Sequence, residues 1–126
     1  GKVKTNVDSG AFGAVQQAAI DALGGDQSCV AKMRDIYRER RDVLCGGLAR
    51  AGYDVLVPKA SFYCLVAVPA GFSSLEFSAQ LLEECGIVST PANGFGAHGE
   101  GFVRFTLCAD KARLAEAVRR IAAGQA

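Results

Sequence analysis

The sequence predicts an α+β fold: a small, mostly antiparallel sheet with helices packed on one face, preceded by a long domain-linking helix. Three observations carry this expectation. The helical pattern over residues 28–51 is longer than a small domain needs. Short extended patterns occur in pairs between helical ones, which suits helices layered on a sheet. One apolar strand, Phe102-Val103-Arg104-Phe105-Thr106-Leu107, carries a charge at its centre. That charge is costly to cover unless an anion meets it.

The bulk properties narrow the function classes. A chain of 126 residues, half of them hydrophobic, suits one compact domain with a real core. The net charge of +1 argues against nucleic acid or an anionic membrane surface as a partner. Arg38, Arg40 and Arg41 are interleaved with Asp35, Glu39 and Asp42, which makes a mixed-charge helix face. The five cysteines, Cys29, Cys45, Cys64, Cys85 and Cys108, are widely spaced, so no metal-ligand or redox motif forms. Most fall at apolar positions, as core thiols in a reducing cytoplasm would. No signal peptide appears, and no apolar run approaches the ~20 residues of a membrane span. The chain starts without methionine, at Gly1-Lys2-Val3, and is expected to be part of something longer.

In chain order, Ser9 to Leu23 predicts a helix of small residues, capped by Ser9 and stopped by Gly24-Gly25. Its alanines and glycines suit close approach to another element. Ser28 to Ala51 follows, with Val30, Met33, Tyr37, Leu44 and Leu48 on one stripe, widened by Ile36 and Val43. At 1.5 Å per residue this rod is about 36 Å long, and Gly52 ends it. Tyr53 to Val57 and Ser61 to Val68 predict two strands, the second apolar enough to be buried on both faces. Ser73-x-x-Glu76 is a capping box for a helix that runs to Cys85, with Gly86 at its end. Ile87 to Thr90 predicts a short strand halted by Pro91. A glycine-rich loop then leads into the Arg104 strand. Asp110 caps a last helix with the stripe Leu114, Ala117, Val118 and Ile121.

Several residues invite a functional reading, and most lose it. Gly94 to Gly101 mimics a dinucleotide fingerprint but feeds a strand, so no helix amino terminus follows to hold a phosphate. Its glycines suit a backbone that comes close to a ligand or another chain. His98, the single histidine, has no visible orienting partner for general-base work. Lys59 sits in a Pro-Lys turn, open to solvent, without the desolvation or neighbouring cation that a catalytic lysine needs. Glu100 precedes Arg104 by four residues, ~13 Å along a strand, too far for direct pairing without a fold-back. Arg104 remains. It shares a face with Phe102 and Thr106, while Val103, Phe105 and Leu107 form the core face. Its face is then a second buried surface or the wall of a cleft. A guanidinium there grips a carboxylate in two-point fashion. Spacing alone leaves a ligand carboxylate and a structural salt bridge equally open.

A set of ordered stretches resembles the carboxy-terminal part of the class I/II pyridoxal-phosphate aminotransferases, with an aspartate-aminotransferase-like fold. The stretches are Lys4-Thr5-Asn6-Val7-Asp8-Ser9-Gly10, Gln16-Gln17-Ala18-Ala19, Tyr37-Arg38-Glu39-Arg40-Arg41-Asp42 and Pro58-Lys59-Ala60-Ser61-Phe62-Tyr63. Thr90-Pro91, Gly94-Phe95-Gly96, Gly99-Glu100-Gly101 and Val103-Arg104-Phe105 complete them. Within the family the LL-diaminopimelate aminotransferase branch is nearest in flavour. One departure is Ala92-Asn93, where glycine is common.

The resemblance implies that Arg104 binds the α-carboxylate of an amino-acid substrate. It also implies that residues 28–126 form the small domain with its linking helix, and residues 1–27 a remnant of the large cofactor domain with its last helix. The Schiff-base lysine and the phosphate-binding arginine would precede Gly1, and Lys2 and Lys4 match no motif. No catalytic, cofactor-binding or metal-binding residue is therefore assigned within the chain. Pyridoxal phosphate belongs to the parent enzyme, and none is expected on this fragment, which should be inactive alone. The implied partners are amino-acid and 2-oxo-acid substrates and a second subunit in a homodimer. The alternative is a free-standing, non-enzymatic α+β module that binds a partner through its alanine-rich first helix.

Overall fold

A computed structural model describes residues 1–7 and 10–124. They divide into two compact units, Gly1–Arg34 and Asp35–Ala126.

The first unit is helical. Helix α1 spans Lys2–Val7, an element the sequence pattern does not announce. Thr5 and Asn6 side chains donate to the Lys2 carbonyl and tie its single turn together. Helix α2 spans Gly13–Gly24 and starts later than predicted. Gly10 has φ +125°, which a right-handed helix cannot contain, so the chain stays extended until Phe12. The predicted Ser9 cap lies outside the described residues. Every described residue of this unit is solvent-exposed, and the stripe residues Val30 and Met33 are about half exposed.

Helix α3, Ser28–Arg50, begins in the first unit and ends in the second. Its 23 residues span about 35 Å. Only its last third is buried, at Leu44, Cys45, Gly47 and Leu48.

The second unit holds the sheet. Strands β1 (Val55–Leu56), β2 (Tyr63–Ala67), β3 (Thr90–Pro91) and β4 (Phe102–Thr106) are ordered β1-β2-β4-β3, with every pairing antiparallel. All four strands are shorter than predicted, β4 by its last residue alone, and for β2 and β3 the reasons are local. Ser61 has φ +86° and breaks the extended run before Tyr63. The Ile87 amide donates to the Leu81 carbonyl, so that residue closes helix α4 (Ser74–Cys85) and does not open a strand. Pro91 is accommodated because β3 is an edge.

β2 is not buried on both faces, contrary to expectation. Cys64 and Val66 are buried, and Tyr63, Leu65 and Ala67 are half-covered. The buried face joins Val103 and Phe105 of β4 and packs under α3, α4 and helix α5 (Lys111–Ala123) through Leu44, Leu48, Phe77, Leu81, Leu114 and Ile121. Helices thus cover one face of the sheet, as predicted. The capping box forms at Ser73 and Glu76, and Asp110 accepts from the Arg113 amide. The thiols are only partly core: Cys45 and Cys64 are buried and Cys85 half-buried, but Cys29, in the unburied first turn of α3, and Cys108, just past β4, are exposed.

Candidate substrate-carboxylate site

Strand β4 is central, so Arg104 is flanked on both sides, by Leu65 of β2 and Thr90 of β3. Alternation aims its side chain away from the core, since Val103 and Phe105 take the buried face. On the open face Tyr63 is its diagonal cross-strand neighbour, within reach of a long side chain. The guanidinium carbon lies 4.0 Å from the centre of the Tyr63 ring. Phe95 arrives from a 3₁₀ turn, Ala92–Phe95, and its ring centre is 4.3 Å from the same carbon. These residues line a shallow cavity of about 400 Å³ together with Leu56, Pro58, Cys64 and Leu65, and Arg104 is its one charged residue.

Arg104 has, among the described residues, no carboxylate partner of the structural kind that the sequence left open. Among the described residues, ion pairs join Arg38 to Asp35, Arg41 to Asp42, Lys111 to Glu39, and Arg119 and Arg120 to Glu116. Arg104 takes part in none of them. Cation–π contact offsets a modest part of its desolvation, ~0.5–2 kcal/mol per ring, and uses none of its N–H donors.

The other sequence candidates fall elsewhere. Glu100 turns to the amino terminus of α4, accepting from the Ser74 amide (2.8 Å), the Ser74 hydroxyl (3.0 Å) and the Gly101 amide (3.1 Å). Those bonds, the Ser74 amide first, hold its carboxyl below the usual glutamate range. His98 is exposed on a second 3₁₀ turn, Ala97–Gly99, and Lys59 is exposed before β2. The close backbone approach predicted for the glycine-rich loop occurs within the chain itself. A Cβ on Gly99 would lie 2.0 Å from the Ala92 carbonyl oxygen. Arg40, on the mixed-charge face of α3, donates to the Leu107 and Cys108 carbonyls and ties α3 to the end of β4.

Sequence reasoning assigned no role to Tyr63 or Phe95. Both stand in motifs that were singled out, and the antiparallel register of β2 with β4 would have brought Tyr63 forward.

Pyridoxal phosphate requires a lysine for its Schiff base and donors for its phosphate. Lys2, Lys4, Lys32, Lys59 and Lys111 are all exposed, and none lines the Arg104 cavity. Among the described residues, none therefore offers the Arg104 cavity a lysine for that cofactor. Among the described residues, no His/Cys/Asp/Glu group suits a metal ion, and no helix is long and apolar enough to cross a membrane.

This arrangement, a small antiparallel sheet with helices on one face, is shared with solved aminotransferases. The family profile "Aminotransferase class I and II" matches residues 2–121, and the chain belongs to that family. It is 55% identical over 121 residues to LL-diaminopimelate aminotransferase of Syntrophobacter fumaroxidans, covering 96% of this chain and 31% of that protein. The enzyme of the same name from Oleidesulfovibrio alaskensis is 52% identical over 122 residues, 97% of this chain and 31% of the relative. Among solved structures, an aminotransferase from Staphylococcus aureus superposes with a TM-score of 0.86 at 32% identity, covering 97% of this chain and 32% of that one. The chain spans about a third of the length of these relatives.

Proposed function

We propose that this chain supplies the substrate-carboxylate arginine of a pyridoxal-phosphate aminotransferase that transfers an amino group between an amino acid and a 2-oxo acid. The carrying observation is Arg104: a half-buried residue lining a cavity, its guanidinium carbon 4.0 and 4.3 Å from the centres of two rings, and in no ion pair among the described residues. Two-point binding of the α-carboxylate there fixes the substrate's orientation, a contribution of positioning and not of proton transfer. LL-diaminopimelate is the donor this reading favours, because the relatives at 52–55% identity bear that name; an aspartate-type donor is the competing choice.

In this reading residues 28–126 are the small domain with its linking helix, and residues 1–27 belong to the large cofactor domain. The cofactor supplies the electron sink, and it binds through residues outside this chain, which is inactive alone. The whole enzyme works in the cytoplasm as a homodimer.

The test is Arg104→Ala in the full-length enzyme. Losing charge-assisted hydrogen bonds worth ~1.5–3 kcal/mol lowers kcat/KM by about ten- to a hundredfold. Unchanged kinetics with every amino-acid substrate would remove Arg104 from the site.

A further inference from the structure

We infer that Phe95 and Tyr63 are positioning residues for Arg104: their rings hold the guanidinium so that its edge, and not its face, meets the ligand. This rests on the reading of Arg104 as a carboxylate anchor.

An arginine side chain carries about 2 kcal/mol of rotamer entropy. A carboxylate that must first immobilise it binds correspondingly less well. A salt bridge would fix the side chain but occupy the donors the ligand needs. Two ring faces fix it without that cost, because every guanidinium donor points outward in the plane of the group. The ring quadrupole attracts the cation, and the ring carbons displace water from its face. What remains open is the in-plane edge, which suits two parallel N–H···O bonds to a carboxylate.

The two rings are set by different means. Tyr63 is held by the β2–β4 ladder and by Phe62, whose ring centre lies 4.6 Å away. Phe95 stands between Gly94 and Gly96, and Gly96 at φ +129° turns the backbone in a way side-chain-bearing residues rarely adopt. Phe95 is 62% exposed and lies outside the core cluster. Core packing does not account for a large aromatic there, and contact with Arg104 does.

The test uses ¹⁵N-labelled chain and the arginine Nε–Hε signals, with that of Arg104 identified by its loss in Arg104→Lys. In the wild-type chain, ring currents set the Arg104 proton apart from those of the other arginines. That displacement shrinks in Phe95→Leu, which keeps the bulk but not the ring, and persists in Phe95→Tyr. Titration with acetate, against matched chloride, moves the Arg104 signal, and Phe95→Leu weakens the apparent affinity about two- to fivefold. Equal acetate affinity in wild type and Phe95→Leu overturns the positioning role and leaves the carboxylate reading standing. A wild-type Arg104 signal that shows the ring displacement but ignores acetate overturns the carboxylate reading, and the positioning role with it.

Discussion

Among the described residues, Glu116 is the carboxylate held furthest below its usual range, yet it lies far from any functional reading. Hydrogen bonds from Arg119 and then Arg120 lower its pKa from 4.5 to about 2. A lowered folded-state pKa stabilises the fold above the unfolded value. Its contribution is complete above pH ~4.5 and fades as pH falls toward about 2. The group is exposed, so the stability at stake is small. Carboxyl NMR should place its midpoint near 2, and a midpoint near 4.5 would mean that the arginine contacts do not persist in solution. Arg104 is the opposite case. Its oddity was legible from the sequence, because a cation among Phe, Val and Leu must meet something. What it meets was not. Tyr63 enters through strand register and Phe95 through the reach of a turn, and neither is encoded by spacing along the chain. The destination of Glu100 was hidden for the same reason: Ser74 is 26 residues away.

Elements were legible where side chains themselves set the boundary. The Ser73–Glu76 box and the Asp110 cap form as read, and the long helix α3 has nearly its predicted length. Strand ends were less legible, because Ser61, Ile87 and Pro91 are governed by backbone geometry and by neighbouring elements of the same chain. Helix packing depends on one small residue. A Cβ on Gly47 would lie 2.6 Å from a Val118 methyl, so α3 and α5 meet where glycine leaves room. Gly47→Ala gains helix propensity but overpacks this contact. A net loss of about 1 kcal/mol is expected in denaturant unfolding, partly restored by Val118→Ala in the same chain. Additive effects of the two substitutions would mean that they do not touch.

At the scale of the whole molecule, the two units differ in how much they bury. Asp35–Ala126 contains the core cluster, whereas no described residue of Gly1–Arg34 is buried. Short helices without a packed face are marginal in water. Amide hydrogen exchange should therefore be fast through α1 and α2 and slow in β2, β4 and α5. Comparable protection in both units would show that α1 and α2 bury surface against something. The α+β fold and the odd placement of Arg104 were within reach of the sequence. The exposure of the predicted Val30 and Met33 stripe was not, since periodicity marks an apolar face without saying what covers it. Whether Arg104 recognises a carboxylate is decided by comparing an amino acid with the amine that lacks its α-carboxylate. In the full-length enzyme, wild type should prefer the amino acid in kcat/KM, and Arg104→Ala should remove most of that preference while changing turnover of the amine little. A preference for the amino acid that survives Arg104→Ala undiminished would contradict that recognition.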